Sequence, residues 1–158
     1  MYAEDLSRKL RNVADATFQQ LKIITEAESG MKPENNGWSP KEIIGHLIDS
    51  ASNNHQRFVR AQFKSDLIFV GYDQDDWVKV QNYQSAAWQS LLQLWYEFNI
   101  HLSRMIANVP DETLLLKRTS HNLDEIAWIP IAKSEPATLA YFIDDYIGHM
   151  QHHLKQIS

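Results

Sequence analysis

The chain has no cysteine among its 158 residues. That excludes disulfides, thiolate metal ligands and a protein-borne thiol nucleophile. Any metal must be held by His, Asp, Glu or water, and any thiol chemistry must bring its thiol on a cosubstrate. The absence also fits a cytoplasmic location. Glycine and proline are sparse, five of each, so the breaks they mark are few and legible. Positive charge is in deficit: 15 Lys and Arg stand against 20 Asp and Glu. A non-specific nucleic-acid binder needs a basic face to neutralise phosphates, so no nucleic-acid partner is expected. There is no run of about 18 apolar residues, and no basic segment leading into an apolar one opens the chain. Neither a membrane span nor a secretory leader is expected.

What is present is helical. Hydrophobic residues make up 44%, enough for a buried core, and the length suits one domain, residues 1–158. Apolar residues step by threes and fours along four segments. The first spans residues 5–28, with Leu6, Leu10, Ala14, Phe18, Leu21 and Ile24 on one stripe. The second opens at Ser39-Pro40-Lys41-Glu42, where Ser39 can cap, Pro40 suits the first helical position and Glu42 completes a capping box. It is expected to reach residue 63. The third covers residues 83–108 and stops before Pro110; the fourth is opened by Pro136 and runs to residue 157. Residues 64–82 and 110–135 are longer than ordinary bundle loops. The expectation is an all-α four-helix bundle with long connections, not a simple up-down-up-down one.

His149 and His153 stand four apart in the last helix, on the edge of its apolar stripe. That spacing can present two imidazoles to one metal ion, as in helical zinc sites. An ordinary solvated pair has the same spacing. Asp145, one turn before His149, is a candidate to orient that imidazole by accepting its N–H. His46 lies on the polar side of the second helix with Glu42, Asp49, Ser50, Asn53 and Arg57. On pattern alone that stripe reads first as a solvated face and second as the wall of a cleft, and periodicity does not choose. Trp77 and Trp128, both in connections, are candidates for a pocket mouth, and His121 for a group that closes over the site.

The segments GWSPKEIIGHLIDSASNNHQRF and PATLAYFIDDYIGHMQHHLKQI resemble the two signature helices of the DinB/YfiT-like superfamily. The stretch YDQDDW before the third helix is also similar. The resemblance implies a four-helix bundle of unusual helix order. It implies one divalent metal ion held by three histidines, here His46, His149 and His153. Ser50, Asn53 and Arg57 match polar positions after the metal histidine and are expected to line the same pocket, where Arg57 offers a bidentate contact to a carboxylate or phosphate.

Three neutral imidazoles leave coordination positions open, the mark of catalytic rather than structural sites. Imidazole suits several transition metals; zinc or nickel is expected. The resemblance implies two reactions on a small-molecule substrate: transfer from a low-molecular-weight thiol such as bacillithiol, or metal-dependent hydrolysis. Glu42, Asp49 and Asp145 are carboxylates near the site by position only, and none is clearly placed as a base. The thiol-dependent S-transferase is therefore favoured, with the hydrolase and a non-catalytic metal-binding stress-response module as alternatives. Apolar residues in the connections, Leu67, Ile68, Phe69, Val70, Ile129 and Ile131, point to a homodimer, as does the family resemblance.

Overall fold

A computed structural model of the chain describes residues 1–157. Four long helices make the bundle: α1 (Tyr2–Leu21), α3 (Pro40–Arg60), α5 (Trp88–Ala107) and α8 (Leu139–Leu154). Four short ones lie in the connections: α2 (Glu26–Ser29), α4 (Gln74–Gln81), α6 (Asp111–Leu115) and α7 (Leu123–Ile126). Among the described residues there is no strand, only two isolated bridges, Leu67 to His121 and Arg118 to Ala137. Among the same residues no helix is long and apolar enough to cross a membrane.

Local chemistry sets several boundaries. The Ser39 hydroxyl accepts from the Glu42 amide and the Glu42 carboxylate accepts from the Ser39 amide, with Pro40 in the first turn. The first helix differs from its expected extent of 5–28. It stops at Leu21, and a second capping box on Thr25 and Glu28 starts α2. The last helix begins at Leu139 with Thr138 as its cap, not at Pro136.

Helix order is the decisive tertiary feature. α1 and α3 both pack on α5 and on α8, so they face each other across the bundle diagonal instead of lying side by side. α1 and α5 run antiparallel, tied by Ser7 to the Ser103 carbonyl and by the Tyr96 hydroxyl to Asp15. α3 and α5 run the same way, since His55 stacks near His101 and Gln62 reaches Met105. A parallel pair needs a connection that travels the bundle's length. Residues 64–87 do this, with α4 laid along α3 on the way. α3 and α8 are antiparallel neighbours, Phe58 lying against Phe142 and Tyr146. That pairing sets the start of α3 beside the end of α8, where the histidines are.

The core is continuous, with Trp88, Trp95, Leu10, Leu47, Leu92 and Leu102 fully buried. Each such side chain contributes about 1.5–3 kcal/mol on burial. One polar link crosses it: the Tyr146 hydroxyl donates to the Asn99 side chain at 2.6 Å. Leu67 and Phe69 are buried in the chain's own core, whereas Ile68, Val70 and Ile129 are exposed. The apolar excess that pointed to dimerisation is thus partly internal.

The candidate metal centre

His46 sits in the second turn of α3, and His149 and His153 occupy the last two turns of α8. One ring nitrogen from each lies within 4.8 Å of the other two. The Nε2 atoms of His46 and His149 are 3.3 Å apart. Two nitrogens each about 2.0–2.1 Å from one tetrahedral ion would lie about 3.3 Å apart, so the spacing fits a shared cation. The three rings meet edge to face, His46 at 73° to His153 and at 81° to His149.

The electrostatics suit a cation. Burial, then the neighbouring His153 and His149, lowers His46 to about 3. Burial, then His153 and His152, lowers His149 to about 4. His153 is also lowered, chiefly by burial. All three imidazoles are therefore neutral near pH 7, the form that binds metal. The Gln156 side-chain oxygen lies 3.0 Å from Nδ1 of His153. A proton on Nδ1 donated to that oxygen leaves Nε2 free as a ligand atom. Nδ1 of His46 is buried without a partner, and that ring lies against Trp38, centroids 4.9 Å apart and planes tilted by 39°.

Two cavities reach the trio. The first, about 360 Å³, runs from His46 and His149 past Ser50, Asn54 and Tyr146 to Arg57. The second, about 530 Å³, reaches His153 from the loop at Asn35, Asn36 and Trp38. Gln74 borders both.

Part of the polar stripe on α3 faces the first cavity, while Glu42 and Asp49 do not. Ser50 and Arg57 line the first cavity, but Asn54 does so in place of Asn53. The Asn53 side chain turns back to the Asp49 carbonyl at 2.9 Å. Asn54 instead ties Ser50 to Arg57, donating to the Ser50 carbonyl and accepting weakly from the guanidinium. The stripe is wider than one face of a helix, and which of its residues point inward depends on where α8 packs.

Asp145 also lines the cavity, but its contacts are not those of an acceptor for His149. Its two oxygens take the backbone amides of Trp128 and Ile129, both at 2.8 Å. Burial raises its pKa, and those amides oppose the rise. It fastens the long link to α8, and the Trp128 ring then lies over Gly148 and beside His149. Trp128 lines the first cavity; Trp77 stands outside it, stacked on Tyr72 at 5.0 Å. His121 does not close over the site. It is buried in the link, one ring nitrogen on the Glu135 carbonyl and the other accepting from the Leu123 amide.

Sequence reasoning missed the support beneath His46. The Tyr83 ring presses so closely on α3 that a Cβ at Gly45 would lie 2.1 Å from it. From there the Tyr83 hydroxyl donates to Asp49 at 2.5 Å, and Gln81 donates to the same oxygen at 2.8 Å. Burial raises the pKa of Asp49, and the two donors oppose this. A glycine inside a well-capped helix was the available signal, because it marks a close approach. Glu42 is likewise committed elsewhere, to its own cap and to Lys32 at 3.0 Å.

Comparison with known proteins agrees with this architecture. Residues 9–157 match the family model of the DinB superfamily, and the chain belongs to that superfamily. The Bacillus subtilis protein YfiT, provisionally named a metal-dependent hydrolase, is 22% identical over 149 residues, which is 94% of this chain and 78% of YfiT. An Oceanobacillus iheyensis protein, OB0782, carries the same provisional name and is 33% identical over 81 residues, 51% of this chain and 42% of that protein. The solved structure of YfiT, described as an unusual four-helix bundle, matches 98% of this chain and 83% of its own with a TM-score of 0.78 at 18% identity.

Proposed function

We propose that this DinB-superfamily chain is a metal-dependent enzyme in which His46, His149 and His153 hold one divalent ion, zinc or nickel. The observation that carries the reading is the convergence of three neutral imidazoles at ligand spacing beside two cavities. When bound, such an ion lowers the pKa of a thiol or water that reaches it and stabilises developing negative charge. The chain's residues do the rest. Gln156 orients His153, Trp38 holds His46, and Trp128 restricts access beside His149.

The reaction favoured is S-transfer from an external low-molecular-weight thiol such as bacillithiol. The thiol loses its proton to solvent, its sulfur bonds to an electrophilic carbon, and the leaving group departs with its electron pair. Two openings onto one trio suit two substrates arriving separately. Asp49, Asp145 and Glu42 are occupied by other partners, so none of these three stands ready as a general base.

One observation favours the hydrolase as a second reading. Glu125, exposed on α7, borders the first cavity, and the named relatives carry that label. The test is metal analysis of untagged protein, then incubation of the metal-loaded chain with bacillithiol and a generic electrophile. Thiol loss that disappears in His153→Ala supports the transferase. Equal loss in both rejects it. Ester or amide cleavage without thiol, abolished by Glu125→Gln, establishes the hydrolase instead. The homodimer belongs to the same reading, with Ile68, Val70 and Ile129 as exposed apolar positions; a monomer mass by light scattering contradicts it.

A further inference from the structure

The first cavity ends at Arg57, which is 7% exposed. Among the described residues no acidic side chain forms an ion pair with it. A guanidinium carries five N–H donors. Its acceptors are the Val70 carbonyl at 2.9 Å and the Asn54 side-chain oxygen at 3.5 Å, the second at the limit of a hydrogen bond. Tyr72 and Phe142 flank it with their rings, 5.7 and 6.0 Å away. At least three donors therefore have no acceptor within the protein. Burying a charge without a counter-charge is costly, and a ligand that brings the anion removes that cost.

Position adds to the argument. Arg57 follows His46 by eleven residues on α3, which returns it to within about 20° of the same helix face. Phe142, beside the guanidinium, precedes His149 by seven residues on α8, about 10 Å along the axis. One cavity thus has two histidines at one end and an unpaired cation about two to three turns away. Its other charged groups limit what fits. Asp145 has both oxygens on backbone amides, and Glu125 stands at the rim. Both oppose a second negative charge on the ligand. A planar monoanion matches the guanidinium fork.

We infer that this cavity binds a substrate bearing one carboxylate, held by Arg57 about two to three helical turns from the group that reacts at the histidines. The reacting end rests on the proposed function; the carboxylate site does not.

The probes are 3-phenylpropanoate and its neutral amide, titrated into the full chain after metal removal with EDTA and again after zinc loading. Calorimetry gives the affinities, and the Arg57 Nε–H resonance reports the place of binding. The acid binds about tenfold or more tightly than the amide in both states and moves that resonance. Arg57→Gln erases the preference without changing zinc stoichiometry. Arg57→Lys keeps the charge and part of the preference, which separates recognition from misfolding. Equal binding of acid and amide to the unmutated chain, or binding of neither, overturns the inference. A preference seen only with zinc puts the carboxylate on the ion and also overturns it. Tighter binding of inorganic phosphate overturns the carboxylate assignment. Failure to bind zinc with the acid preference intact refutes the metal reading and supports this one.

Discussion

The two walls of the cavity are built on different principles. One wall is helical: α3 and α8 carry His46, Ser50, Arg57, Tyr146 and His149 at fixed spacings along two rigid rods. The other is made of connections: Gly71, Tyr72 and Gln74 from one, Ile126 and Trp128 from another. The connections are rigid for a different reason. The Leu67 amide donates to the Ser120 carbonyl and the Asn122 amide to the Leu67 carbonyl. The Asn122 side chain holds both the amide and the carbonyl of Phe69. Arg118 is buried on the Ala61 carbonyl. A helix positions residues by local repeat; these connections position theirs by pairs some fifty residues apart in the chain. Helix residues on this cavity should therefore govern metal and charge, and connection residues should govern shape and access.

The largest expected effect tests the helical wall. His149→Ala should abolish tight metal binding, measured by metal analysis after gel filtration. The stabilisation that excess zinc gives the unmutated chain, about 2.7 kcal/mol at one hundred times Kd, should vanish with it. Retained stoichiometric metal would break the assignment of that wall.

Gly45→Ala comes next, because it pits one wall against its support. The new methyl would collide with the Tyr83 ring. Overpacking of this kind costs about 1–3 kcal/mol, read from denaturant unfolding. Gly148→Ala, where the Trp128 ring is 3.2 Å from the new carbon, should cost less, since an exposed link can give way. Equal costs would mean the link is as stiff as the core.

Acid should act on the helical wall of the metal-free protein. His46 and His149 titrate near 3 and 4 in the fold and near 6.5 unfolded. The unfolded chain therefore binds protons first, and stability falls as pH drops from about 6.5 towards 4. The contribution is complete above the unfolded value. Thermal melts of EDTA-treated protein check this, and the slope should flatten in His46→Gln. An unchanged slope in that variant contradicts it.

Asp145→Asn tests the connecting wall. It should loosen Trp128 and Ile129 and alter small-molecule affinity severalfold, while metal stoichiometry holds. Loss of metal would mean that Asp145 supports His149 after all. The smallest expected effect is Asn53→Ala, within about 0.5 kcal/mol, because that side chain only returns to its own helix. Asn54→Ala should exceed it.

Much of the helical wall was legible in advance. The Ser39 capping box, the apolar stripes and the i, i+4 histidine pair are short-range patterns, set by backbone geometry that repeats every 3.6 residues. Family resemblance, not periodicity, singled out His46 from a polar stripe open to two readings. The connecting wall was not legible. Nothing near Asp145 in sequence reveals that its oxygens serve residues 128 and 129, and no pattern tells Asn53 from Asn54.

By itself, then, the sequence determined the four long helices, the Ser39 cap and the side of each that is apolar, because those follow from neighbours within a turn or two. The diagonal placement of α1 and α3, and so the meeting of α3 with α8, was decided only by tertiary packing. The same holds for the fit of Tyr83 over Gly45 and for the unpaired Arg57 facing the cavity. Such features depend on which surfaces exclude water together, and that is a property of the assembled chain and not of any segment of it.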